Sequence, residues 1–212
     1  MRVLVFGDSI TYGKWDSRGG WCERLREHYD KQAIEETSRE FPNVYNLGIS
    51  GDTTPELLQR FEHETKARVS SSDEFTFVIT IGTNDSLTEG PDKPRSTPQK
   101  YEQSLDGIIQ AAKKYSPRIM FVGLQPCIEA VTTPVSWRNV YYTNERLQSF
   151  EKAMRQVCLK NNILHIAIFE AFENKLRAGE RLFHPDGLHP SDEGHELIFQ
   201  LVQPVLDKLL AG

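Results

Sequence analysis

The chain has 212 residues, 38% hydrophobic and 26% charged, with 25 Lys and Arg against 30 Asp and Glu and a net charge of −5. That length is enough for one domain spanning residues 1–212, needing neither disulfide nor metal to fold. The composition excludes disordered and membrane classes, and no basic stripe points to a nucleic-acid partner.

Arg2 to Phe6 is a short apolar run and reads as a first strand. Gly7-Asp8-Ser9-Ile10-Thr11-Tyr12-Gly13 follows directly. It lacks two glycines of the dinucleotide fingerprint and the Gly-Lys-Ser/Thr of a P-loop. No Gly-x-Ser-x-Gly elbow occurs either. Ser9 is therefore either a helix cap or a side chain presented at the strand's carboxyl end. Trp21, Leu25 and Tyr29 carry a helical period.

Asn43 to Leu47 is a poorer second strand, running into Asn46-Leu47-Gly48-Ile49-Ser50-Gly51-Asp52. Thr53-Thr54-Pro55-Glu56 then offers a capping Thr, an early Pro and a Glu three residues on, which predicts a helix through Leu57, Leu58 and Phe61. Phe75 to Ile81 is a strong third strand, followed by Gly82-Thr83-Asn84-Asp85. Tyr101, Leu105, Ile108, Ile109 and Ala112 form an apolar helix face. Arg118 to Leu124 is the fourth strand, and Leu147, Phe150, Met154, Val157 and Cys158 mark the next helix. Asn162 to Ile168 is the fifth strand. A last helix starts near Ser191, and Pro204 inside it is predicted to kink or split it.

Five alternations of strand and helix predict a parallel sheet covered on both faces. The long irregular segments 82–98 and 125–136 both follow strands. They belong at the carboxyl edge, where open α/β sheets place ligands.

Asp186-Gly187-Leu188-His189-Pro190 precedes the last helix. Gly187 permits a turn that returns the Asp186 carboxylate to the His189 imidazole, and Ser191 is a candidate N-cap. A His oriented by a carboxylate is what a general base requires, although a capped turn with a surface His fits the same residues. His184, His189, His195 and Asp186 lack the spacing of a metal site. His195 is expected to face solvent, and His28, His63 and His165 to be structural. Glycines after strands two and three expose backbone N–H groups, and Asn84 offers a side-chain N–H₂. Together with the Ser9 amide, these have the composition of an oxyanion hole.

GDSITYG, NLGISGDTT, GTND and DGLHPS together resemble the four signature blocks of the SGNH hydrolases, the GDSL esterases and lipases, over residues 7 to 191. The one departure is Ile10 where the name GDSL expects Leu. The resemblance implies a three-layer α/β/α sandwich with a five-stranded parallel, flavodoxin-like sheet. It implies Ser9 as nucleophile, His189 as base and Asp186 as its partner, with Ser9, Gly48 and Asn84 as oxyanion donors. Asp85 is given a structural role. No cofactor or metal is implied.

The expected reaction is hydrolysis of a small-molecule carboxylic ester, with a short-chain or O-acetyl acyl group favoured. Lysophospholipids, thioesters or transfer to another alcohol remain open in the same site, and a non-enzymatic flavodoxin-like binding module is disfavoured. Trp15, Pro126, Pro134 and Trp137 are candidates for a pocket wall, while Tyr141 and Tyr142 read as helix-packing residues. Cys22, Cys127 and Cys158 form no Cys-x-x-Cys and are expected as reduced thiols. No apolar run approaches a transmembrane length, and Ser9 lies too near Met1 for a cleaved leader, so a cytoplasmic location is expected. The oligomeric state is not legible.

Overall fold

A computed structural model describes residues 1–37, 40–68 and 74–211. Its central sheet holds β1 (Arg2–Gly7), β2 (Asn43–Gly48), β3 (Phe75–Thr80), β6 (Ile119–Val122) and β8 (Leu164–Ile166). All are parallel, in the order β2-β1-β3-β6-β8. These are the five expected strands in the expected order.

Two strands are shorter than their apolar runs, and neighbouring side chains explain both. After β6 the Leu124 amide leaves the ladder and donates to Glu151 Oε2 at 2.7 Å. Before β8, Asn162 takes a left-handed conformation and closes the preceding helix, so the strand begins two residues later.

Side-chain alternation along the strands builds two cores. Leu4, Phe6, Phe77, Ile79 and Phe121 face α3 (Thr54–Lys66), α5 (Pro98–Lys113) and α7 (Asn144–Asn161). Val3, Val5, Val78, Met120 and Val122 face α2 (Gly20–Glu35), α8 (Phe169–Arg177) and α9 (Asp192–Ala211). Both faces are covered, so the strands read as continuous apolar runs rather than alternating ones. The first core is the more aromatic: Phe6 stacks on Phe61 with ring centroids 4.5 Å apart.

Pro204 does not divide α9, which runs unbroken from Asp192 to Ala211. Pro204 and Gln200, whose carbonyl loses its partner, both lie on the exposed face, where water can satisfy that group. His195 is buried, not solvent-facing. It shares a helix face with Ile198, Val202 and Leu206 and is packed against α2. Burial pushes its imidazole down to about 4, so it sits in the core as a neutral ring that accepts from the Trp21 amide through Nδ1.

The two long loops are not independent. The first carries α4 (Thr83–Ser86), β4 (Thr88–Glu89) and β5 (Lys93–Pro94), and the second α6 (Glu129–Thr132) and β7 (Val140–Tyr141). They join in a small antiparallel sheet ordered β5-β4-β7 above the carboxyl edge of the main sheet. No described helix is long and apolar enough to cross a membrane.

Candidate active site

Ser9 opens the short helix α1 (Ser9–Tyr12) at the end of β1. Asp8 caps that helix, its Oδ1 accepting from the Ile10 amide at 2.9 Å. Across 180 residues of sequence, Ser9 Oγ lies 2.9 Å from His189 Nε2. His189 Nδ1 lies 2.5 Å from Asp186 Oδ2. An ionised Asp186 accepts only, so Nδ1 carries the proton and Nε2 is left to accept from Ser9.

The turn that holds this pair is itself hydrogen-bonded. Asp186 Oδ1 accepts from the Leu188 and His189 amides, each at 3.0 Å. Ile128 of the second long loop donates to the Gly187 carbonyl at 2.8 Å. Burial alone would raise the Asp186 carboxyl, but the His189 ring and the two amides outweigh it and hold Asp186 below the usual carboxylate range. The base partner therefore stays anionic while buried.

Asn84 lies on α4, just past β3, and its amide is oriented from both ends. Nδ2 donates to the Asp52 carbonyl at 3.0 Å, and Oδ1 accepts from the Tyr142 hydroxyl at 3.1 Å. The remaining Nδ2 contact, 3.4 Å to Asp8 Oδ2, is long and leaves that proton open to a better acceptor. Tyr142, expected to pack against helices, does sit in the core with Leu147 and Phe150, and its hydroxyl also supports the site. Burial, then the nearby Asp85 and Asp52, push the Asp8 carboxyl up to about 7. Asp85 accepts from the Thr54 amide and hydroxyl, which fits the structural role expected of it.

Gly48 does not take the place expected of it. Its N–H donates to Asn46 Oδ1 at 3.0 Å, and it lies away from the catalytic cavity. A glycine is needed there for another reason: a Cβ would sit 2.3 Å from the Tyr12 amide nitrogen, where β2 meets α1. Four residues on, Asp52 donates to the Ile49 carbonyl and closes a turn with Gly51 at φ 92°. A turn with positive φ at its third residue favours glycine. Gly51 lines the cavity together with Ser9 and Asn84.

This cavity of about 160 Å³ sits at the carboxyl edge of the sheet. Leu87, Val140 and Leu188 supply its apolar wall, and Trp137 and Tyr142 its aromatic one. Trp15, strained at φ 67°, lays its indole edge-on to His189 with centroids 5.0 Å apart. Lys14, Arg95 and Arg138 also line the cavity. Sequence reading missed them because two lie on the long loops and none belongs to a signature block.

Residues 5–197 match the model of the GDSL-like lipase/acylhydrolase family. The chain belongs to that family. Within and around the GDSL-like family the similarities are distant. The uncharacterized lipoprotein YqeF of Bacillus subtilis is 28% identical over 152 residues, 70% of this chain and 57% of that one. The chain thus matches little more than half of that relative's length. The isoamyl acetate-hydrolyzing esterase 1 homolog of Rattus norvegicus is 23% identical over 220 residues, 100% of this chain and 83% of its own. Among solved structures, the lipase/acylhydrolase from Enterococcus faecalis superposes with a TM-score of 0.75 at 21% identity, covering 97% of this chain and 94% of that one. This last likeness is one of fold.

Proposed function

We propose that the chain is a serine esterase that cleaves short-chain acyl esters through an acyl-enzyme on Ser9. The observation that carries this reading is the Ser9–His189–Asp186 relay opening onto a cavity shared with Gly51 and Asn84. His189 Nε2 takes the Ser9 proton as Oγ attacks the ester carbonyl, and Asp186 stabilises the imidazolium that forms. The oxyanion is received by the Ser9 and Gly51 amides and by Asn84 Nδ2, with Gly51 replacing Gly48 in that role. His189 then protonates the departing alcohol, and water repeats the sequence on the acyl-enzyme.

Cavity size supports a short acyl group. About 160 Å³ is close to the ~150 Å³ that admits one benzene ring, a fit for a short acyl group beside Ser9. A relative named for isoamyl acetate hydrolysis points the same way. The three cysteines are buried free thiols, which favours a reducing compartment such as the cytoplasm.

A series of nitrophenyl esters from acetyl to decanoyl tests the reading. Acetyl and propionyl esters should turn over fastest, and Ser9→Ala should abolish turnover. Asp186→Asn should lower kcat by up to ~10⁴. Wild-type activity in Ser9→Ala would overturn the mechanism, and a decanoyl optimum would overturn the acyl assignment.

A further inference from the structure

The catalytic cavity is basic in an acidic protein. Lys14, Arg95 and Arg138 line it, and no Asp or Glu does, although acidic residues outnumber basic ones by 30 to 25 in the chain. Elsewhere, Arg24 pairs with Asp16 and Arg60 with Asp52. Among the described residues, Lys14 and Arg138 have no carboxylate partner within ion-pair distance, and Lys14 only covers the Trp15 ring. Arg95 has a loose contact of 3.6 Å with Glu89, whose carboxylate is taken up at 2.9 Å by Lys93.

The basic wall continues outward. Gly51, Arg95 and Arg138 also line an adjoining cavity of about 460 Å³, where Lys100 adds another cation. The carboxylates there, Glu56 and Asp85, are held by hydrogen bonds on their own side, with Arg95 near enough to favour their charged forms. Glu56 accepts from the Thr53 amide and hydroxyl, and Asp85 from those of Thr54. Gly51 therefore stands between Ser9 and a cleft into which Arg95 and Arg138 also face. Three cations facing one cavity whose wall holds no carboxylate favour a ligand that brings negative charge. Arg favours planar oxyanions, which it binds through paired N–H groups.

We propose that the substrate is an ester carrying an anionic group, carboxylate or phosphate, remote from the scissile bond and received by Arg95 and Arg138. Lys14 and Lys100 add to the field that draws it in. This rests on the esterase reading of Ser9 and adds the substrate's charge to it.

Matched ester pairs test it. Mono-nitrophenyl glutarate, with the anion in the acyl part, is compared with its methyl ester. 4-Acetoxybenzoate and 4-acetoxyphenyl phosphate, with carboxylate or phosphate in the alcohol part, are compared with the methyl ester and the dimethyl phosphate triester respectively. At least one anionic ester should exceed its uncharged match in kcat/KM by about tenfold or more, the range of a charged hydrogen bond. That preference should shrink as salt rises, and should fall about tenfold in Arg95→Gln and in Arg138→Gln. The arm showing the preference identifies where the anion sits and of which kind it is. No preference in any pair, or one that survives both substitutions and high salt, overturns the proposal. Calorimetric titration of 4-acetoxyphenyl phosphate and mono-nitrophenyl glutarate into Ser9→Ala gives an answer independent of turnover. Salt-sensitive binding lost in Arg138→Gln supports an anion site even if no ester is cleaved, and absence of binding counts against it. Failure to hydrolyse charged and uncharged esters alike overturns the esterase reading instead.

Discussion

The Tyr142 hydroxyl donates to Asn84 Oδ1 at 3.1 Å, so the second long loop fixes the orientation of the side chain proposed to receive the oxyanion. Asn84→Ala should lower kcat by about 10²–10³. Tyr142→Phe leaves Asn84 in place but frees its amide to rotate and leaves a buried acceptor unpaired. Loss of one neutral hydrogen bond predicts a fall of roughly 3- to 10-fold. That fall should appear in kcat with KM little changed. Steady-state kinetics on a nitrophenyl ester checks both, and a Tyr142→Phe effect confined to KM would make Tyr142 an ordinary wall residue.

Gly48 and Gly51 should respond oppositely to substitution. A Cβ on Gly48 meets backbone of α1 at 2.3 Å, whereas a Cβ on Gly51 meets nothing within 4 Å. Gly48→Ala should therefore lower Tm sharply or prevent folding. Gly51→Ala should fold, with destabilisation of about 1–2 kcal/mol from its positive φ, and lose kcat as its N–H shifts. Thermal melts and kinetics on both variants separate the roles. A Gly51→Ala enzyme with unchanged kcat would remove Gly51 from the oxyanion assignment.

This pair also marks where sequence reading ends. The strands were legible because residues such as Val3 to Phe6 and Phe77 to Ile79 are buried on both faces, which leaves no polar alternation to confuse them. Ser9, Asp186 and His189 were legible because a serine after a strand and a carboxylate three residues before a histidine are local patterns. Choosing between two glycines three residues apart needs the turn geometry, which the residue types alone do not give. It depends on which N–H is already used, and Asn46 uses that of Gly48. The contact of Tyr142 with Asn84 was not legible because β7 is two residues long, too short to show alternation, and adjoins the Thr143 cap of α7. Arg95 and Arg138 meet only because the two loops pair across β4 and β7. His195, expected to face solvent, is buried, and the signal that could have shown it is its place three residues before Ile198 on the apolar stripe of α9.

His195 makes acid stability predictable. Its folded value of about 4 lies below the ordinary 6.5, chiefly through burial and further through Arg24 and His184, against the pull of Asp16. The unfolded chain therefore binds the extra proton between those values. Stability from this group is present above pH 6.5 and is lost as pH falls toward 4, by up to roughly 1.4 kcal/mol per pH unit. His195→Gln keeps an acceptor for the Trp21 amide and removes the titration. Its Tm should fall less than that of the wild type between pH 6.5 and 4. Parallel curves across that window would mean that His195 does not govern the acid limb.

Asp8 acts in the opposite direction, at higher pH. Its folded value of about 7 lies above the ordinary 3.8 because it is buried near Asp85 and Asp52. Stability from this group is fully present below pH 3.8 and is lost as pH rises through 7, at up to roughly 1.4 kcal/mol per unit. Once ionised, Asp8 Oδ2 competes more strongly for Asn84 Nδ2, 3.4 Å away, and places a negative charge beside the site of the developing oxyanion. Both effects predict a decline of kcat above pH 7. Asp8→Asn still offers an oxygen to cap α1 at the Ile10 amide but carries no charge. The variant should melt higher than wild type at pH 8, relative to the same comparison at pH 5, and its kcat should stay level above pH 7. An alkaline decline that persists unchanged in Asp8→Asn would assign that limb to another group.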